Sequence, residues 1–282
     1  MKGLAHIGAL EVLQERGHLR AVKEYVGISV GSLIAYMLCV GCTLGEIRLT
    51  AQLLDLGTIR DLDPETIVSF PETFGFDTGA NVDKLLTAIL RAKQLPADIT
   101  FEGLAKRRAG PTLRVFATDL NTCMPVELSA RATPTMEVRL AVRASMTIPI
   151  YFTPVRNPAD GHLLVDGGVV THTPFKLLTE EERAATLSIA FADNHKPKER
   201  IDTLLEMLLQ IYHSVEYYGT RQLDSTGWVD RILYLPCGAA GTMDFEKGPE
   251  EKAALMEIGR KATEKYLERV ALPKPRRRFS LA

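Results

Sequence analysis

The sequence has 282 residues, 46% of them hydrophobic and 24% charged, which excludes a disordered or fibrous chain and suits one large globular domain. Lys and Arg number 34 against 35 Asp and Glu, a formal charge of -1, so no global field favours nucleic acid or an anionic surface. No stretch approaches the ~18 uninterrupted apolar residues of a membrane span, and the opening six residues lack the apolar run of a secretory signal.

In chain order, Leu4, Ile7, Ala9, Leu10 and Leu13 recur at helical spacing and predict a helix over residues 4–16, with Gly17 placed for a left-handed C-cap. Residues 25–28 form a short β-favouring run, and residues 33–38, just after Ser29, read as a buried helix. The stretch 54–81 carries Pro64, Pro71, Gly75 and Gly79 among Ile67, Phe70, Phe74 and Phe76. It predicts an irregular apolar flap, either a lid or a packed surface loop with short helices.

Strands are predicted at 113–118, 126–129, 163–165, 186–191 and 231–235, and helices at 80–92, 136–144, 201–218 and 249–270. Several of the strands are continuous apolar runs. They predict a three-layer α/β/α domain over residues 1–272 with a mostly parallel central sheet, followed by a basic, solvated tail at 273–282. In 201–218, Leu204, Leu205, Leu208, Leu209, Tyr212 and Val215 make an apolar stripe that suits a core-facing helix or a lipid-facing one. The four cysteines, Cys39, Cys42, Cys123 and Cys237, lack the second CxxC pair of a zinc site. They read as buried reduced thiols, which suits a cytoplasmic setting with at most peripheral membrane contact, and nothing in the spacing calls for a metal or a cofactor.

Gly27-Ile28-Ser29-Val30-Gly31 matches G-x-S-x-G between a predicted strand and a predicted helix, the context in which that motif makes a nucleophile elbow. On such a strained turn the backbone two residues before and two after the nucleophile leaves no room for side chains, so both Gly27 and Gly31 are expected on steric grounds. Ser29 would project outward at a helix N-terminus, where the Val30 amide and the positive end of the macrodipole favour an oxyanion. The plain alternative is a Gly-Ser turn without chemistry.

A serine hydroxyl needs a partner to take its proton, and histidine is the usual one, in the order Ser, Asp/Glu, His in α/β-hydrolases. His6 and His18 precede the serine and read as packing or surface residues, whereas His162, His172, His195 and His213 follow it without a recognisable triad context. Asp166-Gly167-Gly168 is the other candidate, a carboxylate at the C-terminal end of a predicted strand, where open α/β sheets place their ligand sites. An aspartate of ordinary pKa, ~3.9, is a weak base at neutral pH, so this role requires burial or desolvation by substrate. On the residues alone, Asp166 ranks level with a triad through His195, and Asp-Gly turns are common without chemistry.

Five segments, in order, decide between them. They are Lys2-Gly3-Leu4-Ala5-His6-Ile7-Gly8-Ala9-Leu10, the elbow Gly27 to Gly31, Phe116-Ala117-Thr118-Asp119-Leu120, Ala144-Ser145-Met146-Thr147-Ile148-Pro149 with Phe152 and Pro154, and Asp166-Gly167-Gly168. Together they resemble the patatin-like phospholipases: the end of that family's glycine-rich oxyanion segment and the helix after it, its elbow, its next strand, the loop bordering its site, and its D-G-[AG] motif. The likeness is weaker after about residue 200. The resemblance implies a Ser29–Asp166 dyad in place of a histidine base, and metal-independent hydrolysis of acyl esters in phospholipids, lysophospholipids or neutral lipids through an acyl-enzyme. It also implies oxyanion donors at Val30, Gly3 and Lys2, an acyl-lipid substrate met at a membrane surface, and no nucleic-acid partner; a protein activator stays open.

Two departures from the family pattern bear on this. The oxyanion segment normally reads G-G-G-x-[KR]-G, and this sequence carries it only from the x position, Met1, without the glycine run and the strand before it. Losing one oxyanion donor costs about 2.7–4 kcal/mol of transition-state stabilisation, so the expected alternative is a catalytically silent lipid-binding or interaction protein. His172-Thr173-Pro174 stands where the family often has Asn-x-Pro, a change expected to alter loop hydrogen bonding more than chemistry.

Overall fold

The computed structural model describes residues 2–53, 64–107, 110–171, 173–192, 199–203, 206–208, 210–211, 213–215, 227–237 and 248–270. Several expectations fall outside these: the first part of the flap at 54–63, His172, His195, Leu204, Leu205, Leu209, Tyr212 and the tail at 273–282. The first half runs α1 (Gly3–Glu15), β1 (Glu24–Gly27), α2 (Val30–Cys39), α3 (Leu44–Leu53), α4 (Pro64–Thr73), β2 (Gly75–Asp77), α5 (Ala80–Ala92) and α6 (Phe101–Arg107). The second half runs β3 (Thr112–Asp119), β4 (Met124–Ser129), α7 (Val138–Ser145), β5 (Ile150–Phe152), β6 (Val155–Arg156), β7 (Leu163–Asp166), α8 (Glu180–Ala185), β8 (Ser188–Phe191), β9 (Ile232–Leu235) and α9 (Pro249–Arg269).

Helix α1 ends as its sequence predicts, with Gly17 at φ 79° donating its amide to Gln14 O. Leu4, Ala5, Ile7, Ala9, Leu10 and Leu13 are all buried, so this is a core helix. It packs on α9 through a reciprocal pair of glycines: a Cβ at Gly8 would overlap the Met256 carbonyl, and one at Gly259 would overlap the Ala5 carbonyl. The two backbones therefore approach closely, with no room for a side chain at either glycine.

β3 is the centre of the main sheet, and Leu113 to Asp119 are all buried along it. β4 pairs antiparallel with one edge of β3, from Arg114 opposite Ser129 to Asp119 opposite Met124. The other edge is shared. β1 runs parallel to its first half, with Gly27 opposite Val115, and β7 runs antiparallel to its second half, with Asp166 opposite Ala117. The C-terminal ends of β1 and β7 thus point at each other across Phe116, which pairs with neither. Helices α2 and α7 pack on this sheet, and α9 packs on α1 and β9.

In the layered α/β/α arrangement the main sheet is of mixed direction, with β1 parallel to β3 and with β4, β6 and β7 pairing antiparallel, while β2–β5 and β8–β9 form two separate parallel pairs among the described residues. A continuous apolar run reports burial on both faces of a strand, and that burial does not depend on which way the neighbours run. The described part of the flap is more regular than expected, because α4 and β2 occupy it. Pro64 sits at the first helical position, where a missing amide costs nothing, and Pro71 falls in the last turn. Phe70 stacks on Phe76 at 4.4 Å and closes α4 onto β2. In the predicted stripe of 201–218, Leu208 is half-buried and Val215 is exposed. None of the four cysteines forms a disulfide, and three are buried; Cys123 is exposed, because it lies in the tight β3–β4 turn at φ 57°. Among the described residues no helix is long and apolar enough to cross a membrane.

Candidate active site

Ser29 occupies the turn between β1 and α2 with φ 53° and ψ -131°, a conformation that side-chain-bearing residues rarely adopt and that costs about 1–3 kcal/mol. The turn is held by its own hydrogen bonds, from Gly31 N to Ile28 O at 2.9 Å, from Ser32 N to Ser29 O at 2.8 Å, and from Ser32 Oγ to Ser29 O at 2.6 Å. Gly27 is sterically required, since a Cβ there would come within 2.5 Å of Ser32 Cα and 2.7 Å of Gly31 O. Gly31 is not. A Cβ on it would meet nothing within 4 Å, which corrects the steric expectation for the second elbow glycine. The turn folds back over Gly27, and position 31 faces the open cavity instead.

Asp166 ends β7 with 1% of its surface exposed, meeting the burial that a carboxylate base requires. One carboxylate oxygen, Oδ1, accepts the Gly168 amide at 2.7 Å, and the other, Oδ2, accepts the Ser29 hydroxyl at 2.6 Å. Its backbone is tied on both sides: its amide donates to Thr147 O at 2.7 Å and its carbonyl accepts Thr118 Oγ1 at 3.0 Å. Gly167 allows the sharp departure from β7, because a Cβ there would come within 2.7 Å of Phe116 O. Among the described residues the Ser29 hydroxyl donates to a carboxylate.

A family profile described as patatin-like phospholipase matches residues 1–179, a span that holds Lys2, Gly3, Ser29, Val30 and Asp166. The chain belongs to the patatin-like phospholipase family. It is 28% identical to YqhO of Bacillus subtilis, with 95% of each chain covered. It is also 28% identical to the probable lipid hydrolase 463L of Invertebrate iridescent virus 6, over 63% of this chain and 59% of that one. In fold it is similar to VipD from Legionella pneumophila, with a TM-score of 0.58 at 16% identity, across 95% of this chain and 65% of VipD.

In this member of the family two helix N-termini converge beside Ser29. α1 starts at Gly3 and α2 at Val30, and the two starts touch, because a Cβ on Gly3 would run into the Val30 side chain. First-turn amides have no partner inside their own helix, and the Val30 amide has no acceptor among the described residues. Converging positive helix ends suit an anion between them. Lys2, the third expected donor, also lines the site, with its ammonium 5.8 Å from the centroid of the Phe191 ring.

These groups open into a cavity of about 930 Å³ that contains Ser29, Gly31 and Asp166 in its lining. Leu33, Leu38, Ile148, Phe152, Phe175 and Ile189 supply apolar wall, a surface suited to a hydrocarbon chain. His6 also lines it, as a packing residue: its Nε2 lies 3.3 Å from Ile189 O and its ring meets Phe191 edge-on at 4.6 Å. Burial pushes its pKa down from 6.5 to about 4, against the opposing effect of the Ile189 carbonyl. His162 pairs instead with Asp119 at 2.8 Å on the far turn of the sheet, and that hydrogen bond raises its pKa. Among the described residues no three His, Cys, Asp or Glu side chains gather where they could hold a metal ion.

Proposed function

We propose that this chain hydrolyses fatty-acyl esters of lipids, phospholipids and lysophospholipids foremost, through a Ser29–Asp166 dyad and an acyl-enzyme. Membership of the patatin-like phospholipase family supports lipid hydrolysis as the general activity. The observation that carries the dyad reading is the 2.6 Å hydrogen bond from Ser29 Oγ to Asp166 Oδ2 at the floor of an apolar cavity.

In the first half-reaction Asp166 takes the Ser29 proton while Oγ attacks the acyl carbon, and the carbonyl electron pair moves onto oxygen. The Val30 and Gly3 amides, at the two helix starts, stabilise that oxyanion. Collapse of the tetrahedral adduct breaks the ester C–O bond, and the alcohol leaves with the proton held on Asp166. In the second half Asp166 removes a proton from water, which attacks the acyl carbon; the fatty acid departs and Ser29 recovers its proton. The apolar wall holds the acyl chain, and the single domain over residues 1–272 supplies every group named.

Fatty-acid release from phosphatidylcholine vesicles and from a soluble aryl ester tests this reading. Ser29→Ala and Asp166→Asn should each lose about 10³-fold or more on both substrates, while His195→Ala keeps wild-type turnover. Loss in His195→Ala would instead point to a triad, and an inactive wild type that still binds vesicles would point to a silent lipid-binding protein.

A further inference from the structure

The end of α7 touches both members of the dyad. Ser145, the last residue of that helix, is fully buried, and its hydroxyl accepts the Ser29 amide proton at 3.0 Å while donating to Phe116 O at 2.7 Å. Two residues on, Thr147 O accepts the Asp166 amide. Two residues back, Arg143 donates to Thr78 O at 3.0 Å and lies over the Phe152 ring, which fastens the same turn to the β2–β5 side of the site.

The register of the sheet explains why a hydroxyl stands there. Val115 pairs with Gly27 and Ala117 with Asp166, so the carbonyl of Phe116 faces the gap between two strand ends and has no ladder partner on that edge. The Ser29 amide precedes the first turn of α2 at positive φ and reaches no helix acceptor. A buried acceptor and a buried donor both need satisfying, and one hydroxyl can do both because it donates and accepts at once. Ser145 bridges the place where the two strands fail to join.

We propose that Ser145 is a positioning residue for Ser29: its hydroxyl locks the strained elbow to the central strand and thereby aims Ser29 Oγ at Asp166. The proposal rests on the dyad reading. A conformation at φ 53° persists only where its surroundings over-determine it. Without the Ser145 hydroxyl, the turn relaxes and Oγ moves off its line to Oδ2, a loss that falls on the chemical step and not on substrate binding.

The test compares wild type with Ser145→Ala, Ser145→Cys and Ser145→Thr. It reads the rate of covalent labelling by a fluorophosphonate, with the labelled residue located by mass spectrometry, kcat and KM on a soluble aryl ester, and the thermal midpoint. Ser145→Ala should lose kcat and labelling rate together, about 10- to 100-fold, with KM within about twofold of wild type. The threonine variant keeps a donor and acceptor and recovers most of that loss, and the cysteine variant, a weak donor and acceptor of nearly the same shape, falls between. Should the alanine variant fail to fold, the cysteine variant carries the comparison. A folded alanine or cysteine variant with wild-type kcat and labelling rate overturns the proposal, as does a loss confined to KM. If wild type is labelled at a residue other than Ser29, the dyad reading falls and this proposal with it; labelling at Ser29 with unchanged rates in the variants removes this proposal alone.

Discussion

Gly27 and Asp166 end two strands that run toward each other along one edge of β3, opposite Val115 and Ala117. Because β4 fills the other edge, β1 and β7 have to share this one, and their C-terminal ends face each other across a single residue. A side chain two positions beyond Gly27 then meets the carboxylate of Asp166, although 137 residues separate them in the chain. The dyad is thus a consequence of strand register. A slip of one residue in β7 would carry Asp166 to the opposite face of the sheet and end the contact.

The two elbow glycines should respond differently to alanine. Gly27→Ala drives a Cβ against the backbone of Ser32 and Gly31 and should destabilise the fold by about 1–3 kcal/mol, with activity lost. Gly31→Ala adds a methyl to open space inside the first turn of α2 and should stay within about 0.5 kcal/mol of wild type. Urea denaturation of the two variants, side by side, checks this.

A second pair of glycines tests the seating of α1. Gly8→Ala and Gly259→Ala each force a methyl into the carbonyl of the facing helix, so each should cost about 1–3 kcal/mol of stability. Any shift of α1 also changes how its start at Gly3 sits against Val30. Turnover measured well below the unfolding temperature should therefore fall in both variants even though neither residue lines the catalytic groups.

His6 makes the fold sensitive to mild acid. Its pKa is held near 4 in the folded protein and is 6.5 in an ordinary setting, so between those values the unfolded chain binds a proton that the folded one refuses. Its contribution is fully present above about pH 6.5 and is lost as pH falls toward 4. Denaturation midpoints at pH 7.5 and pH 5 should drop further for wild type than for His6→Gln, which cannot gain that charge.

Much of this was legible in the sequence, for reasons that differ by element. α5 appears at residues 80–92 as its apolar spacing predicts, and the elbow follows from a serine between two glycines at a strand-to-helix junction. Strand direction was hidden, because Leu113 to Ala117 are buried whichever way β4 and β7 run. Pro64 and Pro71 point to an irregular flap, yet Pro64 falls where a helix tolerates proline, and α4 keeps Pro71 inside its last turn and ends two residues later. The G-x-S-x-G pattern gives both glycines one steric reason, yet only at Gly27 does the backbone crowd out a Cβ. Ser145 carries no pattern of its own, since a serine at a helix end shows its partner only when Phe116 and Ser29 are brought beside it.

If Ser29 and Asp166 act as one unit, a double-variant cycle shows it. Aryl-ester turnover is measured for wild type, Ser29→Ala, Asp166→Asn and the combined variant, each checked for native folding by circular dichroism. Each single change should cost about 10³-fold or more, and the combined variant should be no slower than Ser29→Ala alone. Turnover by Asp166→Asn within about tenfold of wild type, or losses that multiply in the combined variant, would mean that the two groups do not share one proton-transfer step.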